Sequence, residues 1–401
     1  MGPGHRAGTV LRVISHPTTS RGAAPPDAPA IRALAEAEID LDAVTANARA
    51  IAEVTGTDLM AVVKADGFGH GAVPVARAAL AGGATWLGVT SAAEALALRA
   101  GGISAPVLSW LHHPDDDFGP LLAAGVDLGI STMTHLRAAA AGAARLRTTA
   151  MVQLKVDTGL SRNGARGTDW ADLVALARAY EMAGSVKVRG VWSHLADADQ
   201  PGSPLVRRQV TAFRTAVRVA RAAKLDPVLL HLANSAGALT APATRFDIAR
   251  IGLALYGVEP VAGAGTGLRP AMTLRSSVVN LKRVPAGTGV SYGPDHVTAE
   301  PTTLALVPVG FADGIPRAAQ GRAEVWVGGA RCPIVGRITM DQCVVDVGDR
   351  PVRLGDPVTI FGPGPDEPTV AEWARWAGTN PNDLLTGIGP RVARRYLGVA
   401  A

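Results

Sequence analysis

Leu59-Met-Ala-Val-Val63, followed by Lys64-Ala-Asp-Gly-Phe-Gly-His-Gly71, joins five consecutive apolar residues to a lysine and a turn with three glycines. Five residues is strand length, and apolar character at every position suits a strand buried on both faces. Seven further runs of the same kind follow it: Trp86 to Val89, Pro106 to Leu111, Val126 to Ile130, Ala150 to Val156, Val188 to Ser193, Val228 to Leu232 and Ile248 to Leu255. Between them lie Ala-rich segments with helical spacing. In Gln209 to Lys224, for example, Val210, Phe213 and Val217 share one face while Arg214, Arg218 and Arg221 take others. Strands alternating with helices predict an α/β fold, an eight-stranded parallel βα barrel. An open doubly wound sheet competes, because periodicity does not report closure, but eight repeats fill a barrel without remainder.

Beyond Pro270 the long helical patterns stop. Runs at Met272 to Val284, Thr303 to Val309, Ala323 to Val327, Val344 to Val347 and Val358 to Phe361 read as strands, with Gly328-Gly329 as a hairpin turn and a short helix over Val370 to Ala377. The organisation expected is therefore a barrel over 37–269 and a mostly β C-terminal domain over 270–401, the first few barrel residues being free to pair with the β domain. Residues 1–36 read as a basic, disordered tail, rich in Ala and Pro and without a secretory pattern.

The net charge of +5 over 401 residues owes more than half of its excess to Arg6, Arg12, Arg21 and Arg32 in that tail. With aromatics at 4 %, nothing resembles an aromatic-interleaved basic face, so nucleic acid is not an expected partner. No apolar run is long enough to span a bilayer, so no membrane role is expected either. Cys332 and Cys343 show no metal spacing; a disulfide is open on usage, and a reduced pair in a cytoplasmic protein is the expectation.

Barrel chemistry gathers where strands end. Lys64 stands at such an end, where loss of hydration lowers a lysine's pKa and exposes a nucleophilic amine fit for a Schiff base with a carbonyl cofactor; a snorkelling lysine is the bland alternative. Lys155, Asp157, Ser161 and Arg162 follow the fifth run, Ser193, His194 and Asp197 the sixth, and His231, Asn234 and Ser235 the seventh. Arg250 and Gly252 belong to the eighth, and Ser235 with the Gly252 backbone suits a phosphate site. Three stretches are set aside. Gly263 to Gly267 imitates a nucleotide loop but reads as a linker. His112 to Asp117 reads as acidic residues ahead of a helix, and Arg394-Arg395 as a solvated face.

From about Ala37 onward the chain resembles the alanine racemase family. Ala61-Val-Val-Lys64-Ala-Asp-Gly-Phe-Gly-His-Gly71 is similar to that family's cofactor-lysine motif, and four more stretches agree in order: Leu154 to Gly159 with Arg162, His231 to Ser235, Val290-Ser-Tyr292-Gly293, and Gly336 to Gln342 with Met340 and Asp341. The resemblance implies pyridoxal 5′-phosphate, a head-to-tail homodimer with shared sites, and racemisation of alanine that supplies D-alanine for peptidoglycan. It implies that Lys64 holds the cofactor and is one base, and that Tyr292 is the opposite base, supplied by the partner. Arg250 would face the pyridine nitrogen with His231 behind it and His194 nearby. Asn234, Ser235, Gly252 and Leu253 would line the phosphate end. Arg162 would meet the substrate carboxylate, supported by Lys155, often carbamylated in this family, and Met340 would offer its backbone amide, with Asp341 in support.

Three residues depart from the family pattern: Phe68 and Phe311 stand where tyrosines are usual, and Thr339 where a cysteine is usual. The rival readings are a racemase of serine or a broader range, a lyase on the same barrel, and a low-activity paralogue that mainly binds the cofactor. The β domain carrying Tyr292 and Met340 counts against a barrel that only binds.

Overall fold

The computed structural model describes residues 32–261 and 263–398. The chain enters through β1 (Ala35–Asp40), and Asp40 then caps the helix Leu41–Thr55 by accepting from the Ala43 amide at 2.8 Å. The barrel strands follow: β2 (Asp58–Val62), β3 (Trp86–Val89), β4 (Val107–Ser109), β5 (Asp127–Ile130), β6 (Ala150–Lys155), β7 (Val186–Trp192), β8 (Leu229–His231) and β9 (Ile248–Ile251). They form one eight-stranded parallel sheet in the order β8-β7-β6-β5-β4-β3-β2-β9. Amides of Asp247 and Arg250 donate to Leu230 and Ala233 carbonyls at 3.0 and 3.1 Å, closing the barrel between β8 and β9. β3, β4, β5 and β9 are buried at every position, which is why their sequences show no polar–apolar alternation and, apart from Ser109, Asp127 and Arg250, are apolar.

The remaining strands are β10 (Met272–Ser277), β11 (Asn280–Val284), β12 (Gly289–Val290), β13 (His296–Val297), β14 (Thr302–Val307), β15 (Glu324–Val327), β16 (Ala330–Val335), β17 (Cys343–Gly348), β18 (Pro357–Phe361) and β19 (Ala393–Leu397). Nine strands make a sheet ordered β11-β14-β17-β16-β15-β18-β10-β1-β19. Gly328-Gly329 does turn the β15–β16 hairpin, with Val327 opposite Ala330, and the helix Val370–Ala377 is present. Both cysteine thiols are free and buried, and burial pushes that of Cys343 up to about 12.

Several expectations are corrected in detail. The run Met272 to Val284 is two strands, because the chain turns at Val278 and Val279 with β-branched residues rather than Gly or Pro. The eighth run stops at Ile251, and Leu253–Tyr256 is a buried 3₁₀ turn whose apolar residues extend the pattern. Most of the tail expected over 1–36 lies outside the described residues, and Ala35 and Glu36 already belong to β1. That strand pairs antiparallel with β10 and parallel with β19, so it completes the sheet of the C-terminal half. Of the pair expected as a solvated face, Arg395 is exposed and pairs with Glu36 and Glu38 across the β1–β19 seam, whereas Arg394 is a part-buried clamp on backbone carbonyls. Asp117, as expected of a residue before a helix, accepts from the Gly119 amide at 2.9 Å at the start of Gly119–Ala123, and it pairs with Arg145.

Candidate active site

Lys64 leaves β2 into a turn that runs against the usual hand of the backbone. Ala65, Asp66, Gly67 and Phe68 have φ of 52°, 51°, 61° and 52°. Left-handed backbone costs a residue with a side chain about 1–2 kcal/mol, so the turn persists only if its surroundings over-determine it. They do. Glu94, which also forms a capping box with Ser91, accepts from the Ala65 amide at 2.7 Å, and Asp66 accepts from the Ala72 amide at 2.8 Å. Arg394 donates to the Gly69 carbonyl at 3.1 Å and to those of Ile388, Gly389 and Val392. The approach is close enough to demand glycine: a Cβ on Gly69 would fall 2.2 Å from the Leu385 carbonyl, and one on Gly71 would fall 2.0 Å from the Tyr396 hydroxyl.

The lysine so held is half-buried, and burial together with the nearby Arg162 charge lowers its pKa. Lys155, at the end of β6, is 5 % exposed, and its Nζ lies 4.3 Å from the Trp192 ring centroid. Burial, then the charges of Arg250 and Arg162, bring it down to about 7. Arg162 is exposed, and its charge reaches Lys64, Lys155 and His194.

Arg250 points into the middle of this group from β9, 4 % exposed. Its Nη1 donates to His231 Nδ1 at 3.0 Å, and its Nη2 reaches the Ser193 carbonyl at 2.6 Å, the Leu232 carbonyl at 3.1 Å and His194 Nδ1 at 3.2 Å. The guanidinium lies 5.0 Å from the Trp192 ring centroid, and that ring stacks on His231 with 2° between planes. Burial lowers Arg250 to about 9, so it remains a cation at neutral pH. Burial, then the Arg250 charge, depress both His194 and His231 far enough to leave them neutral.

At the neighbouring strand ends, Asn234 accepts from the Gly237 amide at 2.9 Å and starts the short helix Ser235–Thr240. Ser235 Oγ accepts from the amides of Gly252 and Ala254 at 3.1 and 3.4 Å. Phe68 is buried beside this cradle: a Cβ on Gly252 would lie 3.1 Å from its ring, and its centroid is 4.7 Å from that of Tyr256. Among the described residues the amides of Ser235, Ala236 and Leu253 donate to nothing, and the Nε–H of Arg250 is likewise unshared. Amide donors at a helix start suit a phosphate, and a buried guanidinium with an N–H to spare suits a ring nitrogen that accepts. The residues present therefore fit pyridoxal phosphate.

The β-domain candidates lie elsewhere. Tyr292 is 72 % exposed and Met340 55 %. Tyr292 is carried between Ser291 and Gly293, both at positive φ, and the turn is fastened by Ser291 Oγ donating to the Arg337 carbonyl at 3.0 Å and by the Arg337–Asp295 ion pair at 2.5 Å. Beside it the Met340 loop is held by Thr339 Oγ1 donating to the Gln342 carbonyl at 2.8 Å, and by Arg391, which bridges Asp341 at 2.7 Å and Asp313 at 2.9 Å. Gly310 fits under this loop only without a side chain, since its Cβ would meet the Met340 carbonyl at 2.3 Å. Among the described residues no hydrogen bond or ion pair joins Tyr292, Met340 or Asp341 to the barrel cluster.

Several contributors escaped the sequence reading. Glu94 was legible as the fourth residue of the Ser91-Ala-Ala-Glu94 capping box. Trp192, Gln153 and Ala236 carried no signal beyond their place in apolar runs or beside a polar one.

A closed barrel with a desolvated lysine at a strand end, and a phosphate cradle two strands away, defines a class: enzymes that hold a carbonyl cofactor on lysine. Residues 39–260 match the sequence model of the alanine racemase N-terminal domain, and 271–396 that of the C-terminal domain. An alanine racemase of Thermobifida fusca is 51 % identical over 368 residues, covering 91 % of this chain and 98 % of that one. One of Mycolicibacterium smegmatis is 46 % identical over 374 residues, 92 % and 96 % of the two chains. The crystal structure of alanine racemase from D-cycloserine-producing Streptomyces lavendulae aligns with a TM-score of 0.91 at 48 % identity, over 92 % of this chain and 98 % of the other. The chain belongs to the alanine racemase family, and its cofactor is pyridoxal phosphate.

Proposed function

We propose that the protein interconverts L-alanine and D-alanine by two bases on opposite faces of the substrate Cα, Lys64 of one chain and Tyr292 of a second copy. Inversion requires a proton to leave one face and another to arrive on the other, which a single base on one face does not provide. The observation that carries the reading is the separation of the two candidates: Lys64 sits in the barrel mouth, while Tyr292 stands exposed on a fastened turn with no bond to its own barrel. A head-to-tail homodimer brings one to the other.

When bound, pyridoxal phosphate supplies an electron sink for the charge left at Cα by proton removal. Burial favours the neutral Lys64 amine, which both cofactor attachment and proton abstraction need. Arg250, backed by His231 and flanked by His194, would offer an N–H to the ring nitrogen; a cationic donor there would keep that nitrogen unprotonated and moderate the sink. Asn234, Ser235, Gly252 and Leu253 hold the phosphate. Phe68 packs there without a hydroxyl, and the resulting loss of one hydrogen bond costs about 0.5–1.5 kcal/mol of cofactor affinity. Arg162 and the partner's Met340 amide bind the substrate carboxylate, and Asp341 steadies the Met340 loop through Arg391. Lys155, surrounded by Arg250, Arg162 and Lys64 with only Asp157 opposing them, gains by reacting as a neutral amine with CO₂, releasing a proton and becoming a carbamate anion beside Arg162.

Support for a cytoplasmic location comes from the free buried thiols and from the absence, among the described residues, of any helix long and apolar enough to cross a membrane. The D-alanine formed would serve peptidoglycan. A division of labour near residue 270, barrel before and β domain after, completes the reading. Chiral analysis of alanine, serine and other amino acids incubated with the protein and pyridoxal phosphate is the test. Equal amounts of both alanine enantiomers from either one are expected; unchanged alanine beside racemised serine would overturn the substrate.

A further inference from the structure

Behind Arg250 the barrel interior carries a line of polar side chains that neither base touches. His231 Nε2 lies 2.8 Å from Gln153 Oε1, Gln153 Nε2 donates to Asp127 Oδ2 at 2.9 Å, and Arg189 Nη1 donates to Asp127 Oδ1 at 3.0 Å. His231 and Gln153 are 0 % exposed and Asp127 3 %. The links come from β9, β8, β6, β5 and β7 in turn. Asp127 is the first residue of β5 and the Arg189 side chain is 32 % exposed, so the line crosses the barrel from the site to the opposite mouth.

Its direction is fixed at both ends. An arginine only donates, so His231 must offer Arg250 the lone pair of Nδ1 and carry its proton on Nε2. An ionised Asp127 only accepts, so Gln153 must turn its NH₂ toward Asp127 and its carbonyl toward His231. Every orientation between the two ions follows. Trp192 limits ring movement by stacking on His231, its own ring anchored by its Nε1–H donating to the main-chain carbonyl of Gln153 at 3.3 Å. The opposite histidine tautomer would set an Nδ1–H against the N–H groups of Arg250, donor against donor, in a space closed to water.

We infer that Gln153 and Asp127 are positioning residues of this racemase, holding His231 as its Nε2–H tautomer so that Arg250 keeps its free donors turned toward the cofactor ring. The inference rests on the role proposed above for Arg250. The charges facing Asp127 are Arg189 of β7 and Arg99 of the helix Ala92–Ala100, with Gln153 of β6 as its hydrogen-bond partner; burial raises the carboxyl pKa overall, and these three oppose it only in part. His231 is faced by Arg250 alone among charged groups.

The test reads the tautomer directly, by nitrogen NMR of histidine-labelled protein with and without pyridoxal phosphate, beside kcat and KM for alanine. In the unaltered protein His231 is expected neutral, with Nδ1 bare and Nε2 protonated, in both forms. Asp127→Asn replaces the obligate acceptor by an amide that can donate to Gln153 Oε1, so that Gln153 can present its NH₂ to His231 Nε2 and compete with Arg250 for the lone pair of the ring. His231 should then show its proton shared with Nδ1, and kcat should fall about tenfold or more, as wrong-tautomer histidines do elsewhere, while KM changes far less. Arg189→Gln, altered at the part-exposed end and sparing the core, guards against a variant that does not fold. Loss of that cation should raise the Asp127 pKa, so the acid limb of the kcat–pH profile should move up by about one unit, together with the tautomer change. A His231 that carries its proton on Nδ1 in the unaltered protein, or an Arg189→Gln protein with unchanged tautomer and acid limb, overturns the inference. If alanine is not racemised while the tautomer behaves as described, the proposed function has failed and the relay has not.

Discussion

At the barrel mouth Lys64, Lys155, His194, His231 and Arg250 are buried or half-buried; desolvation lowers the pKa of each, and nearby cations add to it for all but Arg250. Across the chain, Tyr292 and Met340 stand in solvent, held by turn geometry and two arginine clamps rather than by packing. The first region prepares reactivity by removing water from charge. The second prepares position only, and its surroundings are completed by whatever covers it. If the two residues are bases that meet only when two chains pair, as proposed above, cofactor retention and inversion should separate under mutation.

The sharpest break is at Lys64. Lys64→Ala should abolish racemisation and the visible absorbance of the cofactor together, because attachment and one base disappear at once. A variant that keeps its yellow colour after dialysis would place the attachment elsewhere. Tyr292→Phe should keep the colour and lose at least ~10²-fold in kcat, the ordinary size for a general acid–base group. Mixing the two inactive variants then probes the comparison itself. If sites are shared head to tail, half of the dimers formed at random are mixed and each carries one intact site, so activity should recover to roughly a quarter of the unaltered level. No recovery, with subunit exchange verified, means that each chain supplies both of its own bases.

A third variant asks whether the two halves of one chain are coupled through the left-handed turn. Arg394→Ala leaves the Gly69 carbonyl and three others without their clamp, a loss of about 1–3 kcal/mol if they stay buried. Cofactor affinity, read by absorbance titration, should weaken about tenfold, while Lys64 still forms its visible complex. Unchanged affinity would mean that Glu94 and Asp66 suffice to hold the turn.

Most of the barrel strands were legible because burial on both faces writes a near-continuous apolar run, and Lys64, His231 and Arg250 stood out as charge or polarity within such runs or at their ends. The clamp was not legible. Arg394 and Arg395 lie on an edge strand, where charged residues are ordinary, and nothing local reveals that one faces Glu36 and Glu38 of β1 while the other faces Gly69. Gln153 is hidden for the opposite reason. It occupies an inward position of an otherwise apolar strand, and only the side-by-side pairing of β5 to β8 brings Asp127 and His231 to its two ends. Contacts between elements far apart in sequence, 78 residues for Gln153 and His231 and 325 for Gly69 and Arg394, leave no periodic trace.

The smallest effect concerns Lys155. Its pKa in the fold is about 7 against 10.5 for a free lysine side chain, so between those limits the unfolded chain binds a proton that the folded one refuses. The sign follows from linkage: the destabilisation is full below pH 7, where both states are protonated, and is relieved as pH rises toward 10.5. Lys155→Met removes it. In CO₂-depleted buffer the melting temperature of the variant should therefore exceed that of the unaltered protein by a few degrees at pH 7, with the gap closing as pH approaches 10. Restoring bicarbonate should close the gap already at neutral pH if the amine is converted to carbamate, because the buried cation is then replaced by an anion facing Arg162. A gap that ignores both pH and bicarbonate would show that Lys155 keeps its proton in the fold, and with it that the barrel mouth does not desolvate its lysines as the comparison requires.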